Sequence, residues 1–116
     1  MSENSHKDFA CLLNMLDSIE KINQYSSPYK NADELFTDSK SFDAVMMNFV
    51  VIGEMAEKLT EDFKLKTENQ IDWFKIRGFR NIIAHNYFGI DAEEVWQIIV
   101  NSLPGVEAKL KKILKK

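Results

Sequence analysis

The chain has 116 residues, 45% of them hydrophobic and 28% charged, with a formal net charge of −3. That length gives one domain, residues 1–116, with room for a single core and no second one, and the hydrophobic share excludes a disordered chain. The negative balance excludes a protein that coats nucleic acid by bulk electrostatics, although Lys75, Arg77 and Arg80, with Lys64 and Lys66 upstream, leave room for a local basic cleft.

Four glycines, two prolines and no sustained alternation of β-branched with polar residues favour an all-α fold. The single cysteine, Cys11, cannot close an internal disulfide. The first residues are charged and carry no apolar run of signal-peptide length. No stretch approaches the ~20 apolar residues of a membrane span, so the reading is a cytoplasmic protein.

From about Lys7 to Tyr25, Phe9, Leu12, Leu13, Leu16, Ile19 and Ile22 recur at helical spacing, widened by Cys11 and Met15. Ser26-Ser27-Pro28 breaks the pattern. Asn31 or Asp33 can then cap a short helical turn through Phe36. A long helix is expected from Ser39 or Ser41 to about Phe63. Phe42, Val45, Met46, Phe49, Ile52, Gly53, Ala56 and Leu59 form its main apolar face, and Met47, Val51 and Met55 form a second stripe. A helix apolar on two sides is either central to a bundle or shared with another subunit. Glycine costs about 1 kcal/mol relative to alanine in a helix interior, so Gly53 on the apolar face suggests close approach of another backbone. Glu54 beside it either faces solvent or reaches the helix that carries Arg80.

Lys64 to Ile71 is polar and reads as a loop. Asp72 can cap the next helix, which carries Trp73, Phe74, Ile76 and Phe79 and is expected to end near Asn86, with Phe88-Gly89-Ile90 as the exit. Within it lies the stretch Arg80-Asn81-Ile82-Ile83-Ala84-His85-Asn86-Tyr87-Phe88, with one of only two histidines. At about 100° per residue, Arg77, Arg80, Asn81, Ala84, His85 and Tyr87 share an arc of roughly 160°. Ile76, Phe79, Ile82 and Ile83 take the opposite arc. The polar arc gathers guanidinium, amide, imidazole and phenol with no carboxylate, a set that suits an anion and phosphate most of all.

Asp91 with Glu94 has capping-box spacing ahead of Val95, Trp96, Ile98 and Ile99. Ser102-Leu103-Pro104-Gly105 interrupts that helix and resembles a fresh start. Val106, Leu110, Ile113 and Leu114 carry the last helix, whose lysine-rich end is favoured by the helix dipole.

Arg80 followed by Asn81, with His85 five residues on and Tyr87 two further, resembles the signature of the HEPN superfamily, most closely its HepT-like branch. Val50-Val51-Ile52-Gly53-Glu54, Asp72-Trp73, Tyr87-Phe88-Gly89-Ile90-Asp91, Val95-Trp96 and Leu103-Pro104 fall in that branch's order and spacing, so the resemblance covers roughly Phe9 to Leu114. Asp72 stands where the family often has proline, which bears on a helix start. The resemblance implies an up-and-down bundle of four to five helices that dimerises, with two motifs facing one cleft. It implies metal-independent RNA cleavage, no cofactor, and a toxin role. It also implies an MNT-type nucleotidyltransferase antitoxin as partner, able in this branch to transfer AMP to the motif tyrosine, Tyr87 here.

Such cleavage needs a base for the 2′-hydroxyl, an acid for the leaving 5′-oxygen and positive charge for the phosphorane. Histidine suits proton transfer near neutrality, which assigns His85; Arg80 would hold phosphate in a bidentate fork. Asn81, one turn before His85, would orient the imidazole or the substrate, with Arg77 as a further substrate-binding cation. With only His6 and His85 present, no set of residues has metal-ligand spacing. The alternative reading is a non-catalytic dimeric helical module that binds a nucleotide or a nucleotidyltransferase, with Arg80 and His85 only as anion ligands. A purely structural role is also open, with His85 a partner of the helix dipole and Arg80 bridging a glutamate such as Glu54.

Overall fold

In the computed structural model the backbone is described for residues 3–89 and 91–115, and side chains for 6–81 and 91–115. The helices are α1 (Glu3–Ser26), α2 (Ala32–Thr37), α3 (Ser39–Lys58), α4 (Glu61–Thr67), α5 (Trp73–Gly89), α6 (Ala92–Gln97) and α7 (Leu103–Leu114), with a π-helical turn, Ile98–Ser102, joining the last two. No strand occurs among the described residues. Four long rods result: α1, α3, α5, and α6 continued through the π turn into α7. The short α2 and α4 fill their ends. No helix among the described residues is long and apolar enough to cross a membrane.

α3 lies in the middle, with α1 packed along one side and α5 along the other. Its Phe42, Val45, Met46, Phe49, Ile52 and Ala56 are buried with Leu12, Met15, Ile19 and Ile22 of α1 and Ile76 and Phe79 of α5. The rings of Phe49 and Phe79 meet edge to face at 5.8 Å between centroids, a favoured aromatic geometry. Of the second stripe, Val51 and Met55 are half-buried while Met47 is exposed. Phe9 departs from its expected core place. It is half-exposed and borders a hollow of about 240 Å³ with Phe63, Ile113 and Leu114.

Several boundaries fall where local hydrogen bonds demand them. Asn31 caps α2, its side chain accepting from the Glu34 N–H, and Asp38 caps α3 by accepting from Ser41 N–H. The expected run of α3 to Phe63 is cut short. Leu59 and Thr60 are extended, and Thr60 opens α4 by accepting from the Phe63 N–H at 3.3 Å. Asp8 of α1, buried, accepts from both the Thr60 N–H at 2.8 Å and its hydroxyl at 2.7 Å. Part of the expected 64–71 loop is therefore helix.

Asp72 caps α5, accepting from the Lys75 N–H at 3.1 Å. The Trp73 indole donates to Thr67 Oγ1 at 2.7 Å, tying the end of α4 to the start of α5. α5 itself runs three residues past the expected end at Asn86, to Gly89. Asp91 caps α6 through the Glu94 N–H.

The expected fresh start at Ser102 is seen in part, since α7 begins at Leu103 with Pro104 in its first turn. Ser102 makes no side-chain cap, and the rod continues with Leu103 N–H donating five residues back to the Ile98 carbonyl. Proline lacks an N–H and crowds the carbonyl four residues earlier, so a wider π turn ahead of Pro104 absorbs the misfit.

Gly53 sets the distance between α3 and α5. A Cβ added there would lie 2.8 Å from the Arg80 Cβ, 3.1 Å from its amide nitrogen and 3.2 Å from the Arg77 carbonyl oxygen. These atoms belong to the facing backbone or stand next to it, so a methyl must push the helices apart. Gly53→Ala should therefore lower stability by about 1–3 kcal/mol, as overpacking does. Helix propensity alone predicts a gain of about 1 kcal/mol, so the sign measured by denaturant unfolding decides between them.

Candidate functional site

The closeness of α3 and α5 at Gly53 decides what surrounds Arg80. Glu54 and Glu57 stand just after that glycine on α3, and both carboxylates reach the Arg80 guanidinium. Glu54 Oε1 and Arg80 Nη1 form a hydrogen-bonded ion pair, and Glu57 Oε2 lies 2.8 Å from the same nitrogen. The polar arc of α5 holds no carboxylate of its own, as its sequence requires, but α3 brings two. The open question at Glu54 is thereby answered in favour of the arginine. Glu57 was missed by sequence reasoning; its only signal was its place one turn after Gly53.

The Glu54 hydrogen bond and then the Glu57 charge push the Arg80 pKa above the ordinary arginine value, so the group stays charged throughout the range in which proteins fold. Arg80 is half-buried and its two partners are partly exposed. The pairs therefore orient the side chain more than they stabilise the fold. A guanidinium has five N–H donors on three nitrogens, and both glutamate contacts fall on Nη1. Among the described residues the fork keeps donors beyond those two contacts.

Asn81 and Arg77 are exposed on α5. Arg77 lies over the Phe74 ring, its guanidinium carbon 5.1 Å from the ring centroid, a cation–π distance. Phe74, grouped by sequence with the apolar residues of this helix, is highly exposed. On the helical wheel it falls with Arg77 and Asn81, which was the available signal. The basic cluster expected around Lys75 is dispersed. Lys64 shares a hollow of about 210 Å³ with Arg77 and Phe74, and it pairs with Glu61 at 3.4 Å. Lys66 pairs with Asp62, and Lys75 borders a separate hollow with Lys109 and Asn101.

The expected site residues His85 and Tyr87, and the core candidates Ile82 and Ile83, have side chains outside the described residues; their backbone belongs to α5. Among the described residues no group of three or more His, Cys, Asp or Glu side chains could hold a metal ion.

Fold and site together define an all-α domain in which two glutamates of one helix hold an arginine of its neighbour. The family follows from comparison with known proteins. A profile described as Ribonuclease HepT-like matches residues 15–113, and the chain belongs to this HepT-like family of the HEPN superfamily. A Methanocaldococcus jannaschii protein named as a gamma-glutamylcyclotransferase and candidate RNase is 33% identical over 109 residues, covering 93% of this chain and 48% of that protein. The chain thus spans about half the length of that relative. A second protein of the same organism, named as a candidate RNase, is 31% identical over 106 residues, 91% of this chain and 86% of its own. A Thermococcus cleftensis protein named as a probable ribonuclease HepT is 30% identical over 111 residues, 96% of this chain and 97% of its own. No solved structure matches the chain.

Two carboxylates beside Arg80 compete with any incoming anion. Replacing both, Glu54→Gln with Glu57→Gln, should tighten binding of inorganic phosphate several-fold while moving the thermal midpoint little, because the pairs are partly exposed. Titration calorimetry beside a melting curve checks both halves.

Proposed function

We propose that this chain is a metal-independent endoribonuclease and the toxin of a HEPN/MNT toxin–antitoxin pair, active as a homodimer on RNA, tRNA included. The observation that carries this reading is the family match over residues 15–113, which spans the whole Arg80–Tyr87 motif. The held guanidinium of Arg80 supports it, since an arginine fixed before substrate arrives costs no reorganisation at the transition state.

In the proposed reaction a base removes the proton from a ribose 2′-hydroxyl, and that oxygen attacks the adjacent phosphorus. The bond to the 5′-oxygen breaks, and an acid protonates the departing oxygen. The products are a 2′,3′-cyclic phosphate and a free 5′-hydroxyl. His85 carries the proton chemistry. One subunit offers a single motif histidine, so a dimer supplies the second where base and acid are separate groups. Arg80 binds the phosphate and stabilises the phosphorane charge; Asn81 and Arg77 position the strand. Glu54 and Glu57 aim Arg80 without touching substrate.

The second reading, a non-catalytic module, draws on one specific observation: Arg80 already bridges Glu54 and Glu57. His85→Ala separates the two. Under the nuclease reading, cleavage of a mixed tRNA substrate by purified protein drops by about 10²-fold or more and the wild type keeps its rate in excess EDTA. A wild type that never cuts RNA, yet still binds nucleotide after the His85 change, would establish the module instead.

Neutralisation is proposed to come from the MNT-type nucleotidyltransferase, which transfers AMP from a nucleoside triphosphate to the Tyr87 hydroxyl with release of pyrophosphate. A phosphodiester placed on the motif helix adds negative charge that competes for Arg80. Intact mass after co-expression with the partner should rise by about one to a few AMP units, the gain should be absent in Tyr87→Phe, and the modified protein should lose RNA cleavage. A modified protein as active as the bare one defeats this mechanism.

A further inference from the structure

The outer face of α5 carries features that the fold does not use. Phe74 stands in the first turn with 75% of its surface exposed, although aromatic rings are among the side chains that gain most from burial. Arg77, itself exposed, covers one face of that ring. Gly78 follows in the middle of the helix, where only proline is less favoured. Among the described residues a Cβ added at Gly78 would meet nothing within 4 Å, and its φ is not positive. Neither packing among the described residues nor backbone geometry asks for glycine there. Arg77, Asn81, Phe74 and Gly78 fall within an arc of about 100°.

Two hollows border the ring. One, of about 210 Å³, is shared with Lys64, Arg77, Glu61 and Ala56; the other, of about 420 Å³, is shared with Leu65, Ile71, Glu68 and Asp72. Only the first has a net positive lining, even with Lys64 paired to Glu61.

We propose that Phe74, Arg77 and Gly78 form a stacking subsite for an unpaired nucleobase of the RNA substrate, displaced along α5 from Arg80. The proposal rests on the ribonuclease reading and names where a flanking nucleotide binds. A base finds planar partners in the Phe74 ring and the Arg77 guanidinium, and both stack without regard to sequence. The charge of Arg77, beside Lys64, meets the neighbouring phosphate. Gly78 leaves the helix backbone open to close approach by the sugar. Phe74 lies about 9 Å along the helix axis from Arg80. That is about two to three nucleotides of a stacked strand at ~3.4 Å each. On the Leu65 side the ring offers a protein partner some apolar surface, but toward Arg80 its neighbours are Arg77, Lys64, Glu61 and Asn81, whose charge and polarity suit a nucleotide better.

The test uses a fluorescent 2′-O-methyl oligoribonucleotide of about ten nucleotides, which binds but cannot be cut, read by anisotropy beside cleavage of the matching RNA. Phe74→Ala should weaken binding about tenfold and Phe74→Tyr should retain it. An abasic site at the contacted position should abolish the difference between Phe74→Ala and wild type. Gly78→Ala should raise the melting temperature, by better helix propensity, and still weaken binding several-fold. If wild type binds and cuts RNA while both alanine variants bind as tightly, the subsite is wrong and the ribonuclease reading stands. If wild type neither binds nor cuts any RNA, the ribonuclease reading fails and takes the subsite with it. If either variant changes the oligomeric state in sedimentation, this face is a contact between copies, and the proposal is overturned.

Discussion

The approach of α3 to α5 at Gly53 is the constraint on which the rest of the site depends. With no Cβ at that position, the Arg80 backbone comes near enough that two α3 side chains, one residue and four residues after the glycine, meet a single guanidinium nitrogen. The same closeness seals the Phe49–Phe79 contact on the core side of the two helices. The core spacing and the surroundings of Arg80 are therefore set by one residue. An alanine there would change the core spacing and the aim of Arg80 together, because backbone positions on α5 move as a unit.

Much of this was legible in the chain, and the reasons differ by element. α1 and α3 show because their apolar positions keep helical spacing for many turns, and their buried residues match it closely. Gly53 showed as a costly residue on an apolar face, and the close approach it predicted is there. The caps at Asn31, Asp72 and Asp91 are local, each made within three residues, and local chemistry is what a sequence displays best. The break between α3 and α4 was hidden because part of its cause is distant: Asp8 holds Thr60 across 52 positions of chain. The π turn was half visible. Pro104 marked the disturbance but not whether the helix would stop or widen there; Ile98 and Ile99, which open the π turn, are buried.

The site divided in the same way. Arg80 was identifiable from its spacing to His85, and Glu54 from its neighbour Gly53, yet nothing local chose between solvent and arginine for that glutamate. Glu57 and Phe74 were concealed by residue type. A glutamate near a helix end is ordinary, and a phenylalanine is read as core until its exposure is seen. Lys75 illustrates the reverse error, for nearness in sequence to Arg77 placed it in a cluster that the helix geometry separates.

The charges around Arg80 narrow how a polyanion can be handled. Glu54 and Glu57 leave the immediate surroundings of the arginine net negative, in a chain that is itself acidic. Long-range attraction is then weak, and screening by salt has little to remove. Under the proposed ribonuclease reading, binding would come from short contacts: the donors of the Arg80 fork that Glu54 and Glu57 do not take, Arg77 one turn away, and the Phe74 ring. Contacts of that kind reward strands that can unstack and lie along a helix, and they penalise stiff duplex, whose bases are already paired and stacked. An arginine held by two carboxylates also binds a ground-state phosphate less tightly than a bare one would. In the proposed reaction that would suit a catalyst, since the fork gains most when negative charge on the phosphoryl oxygens grows.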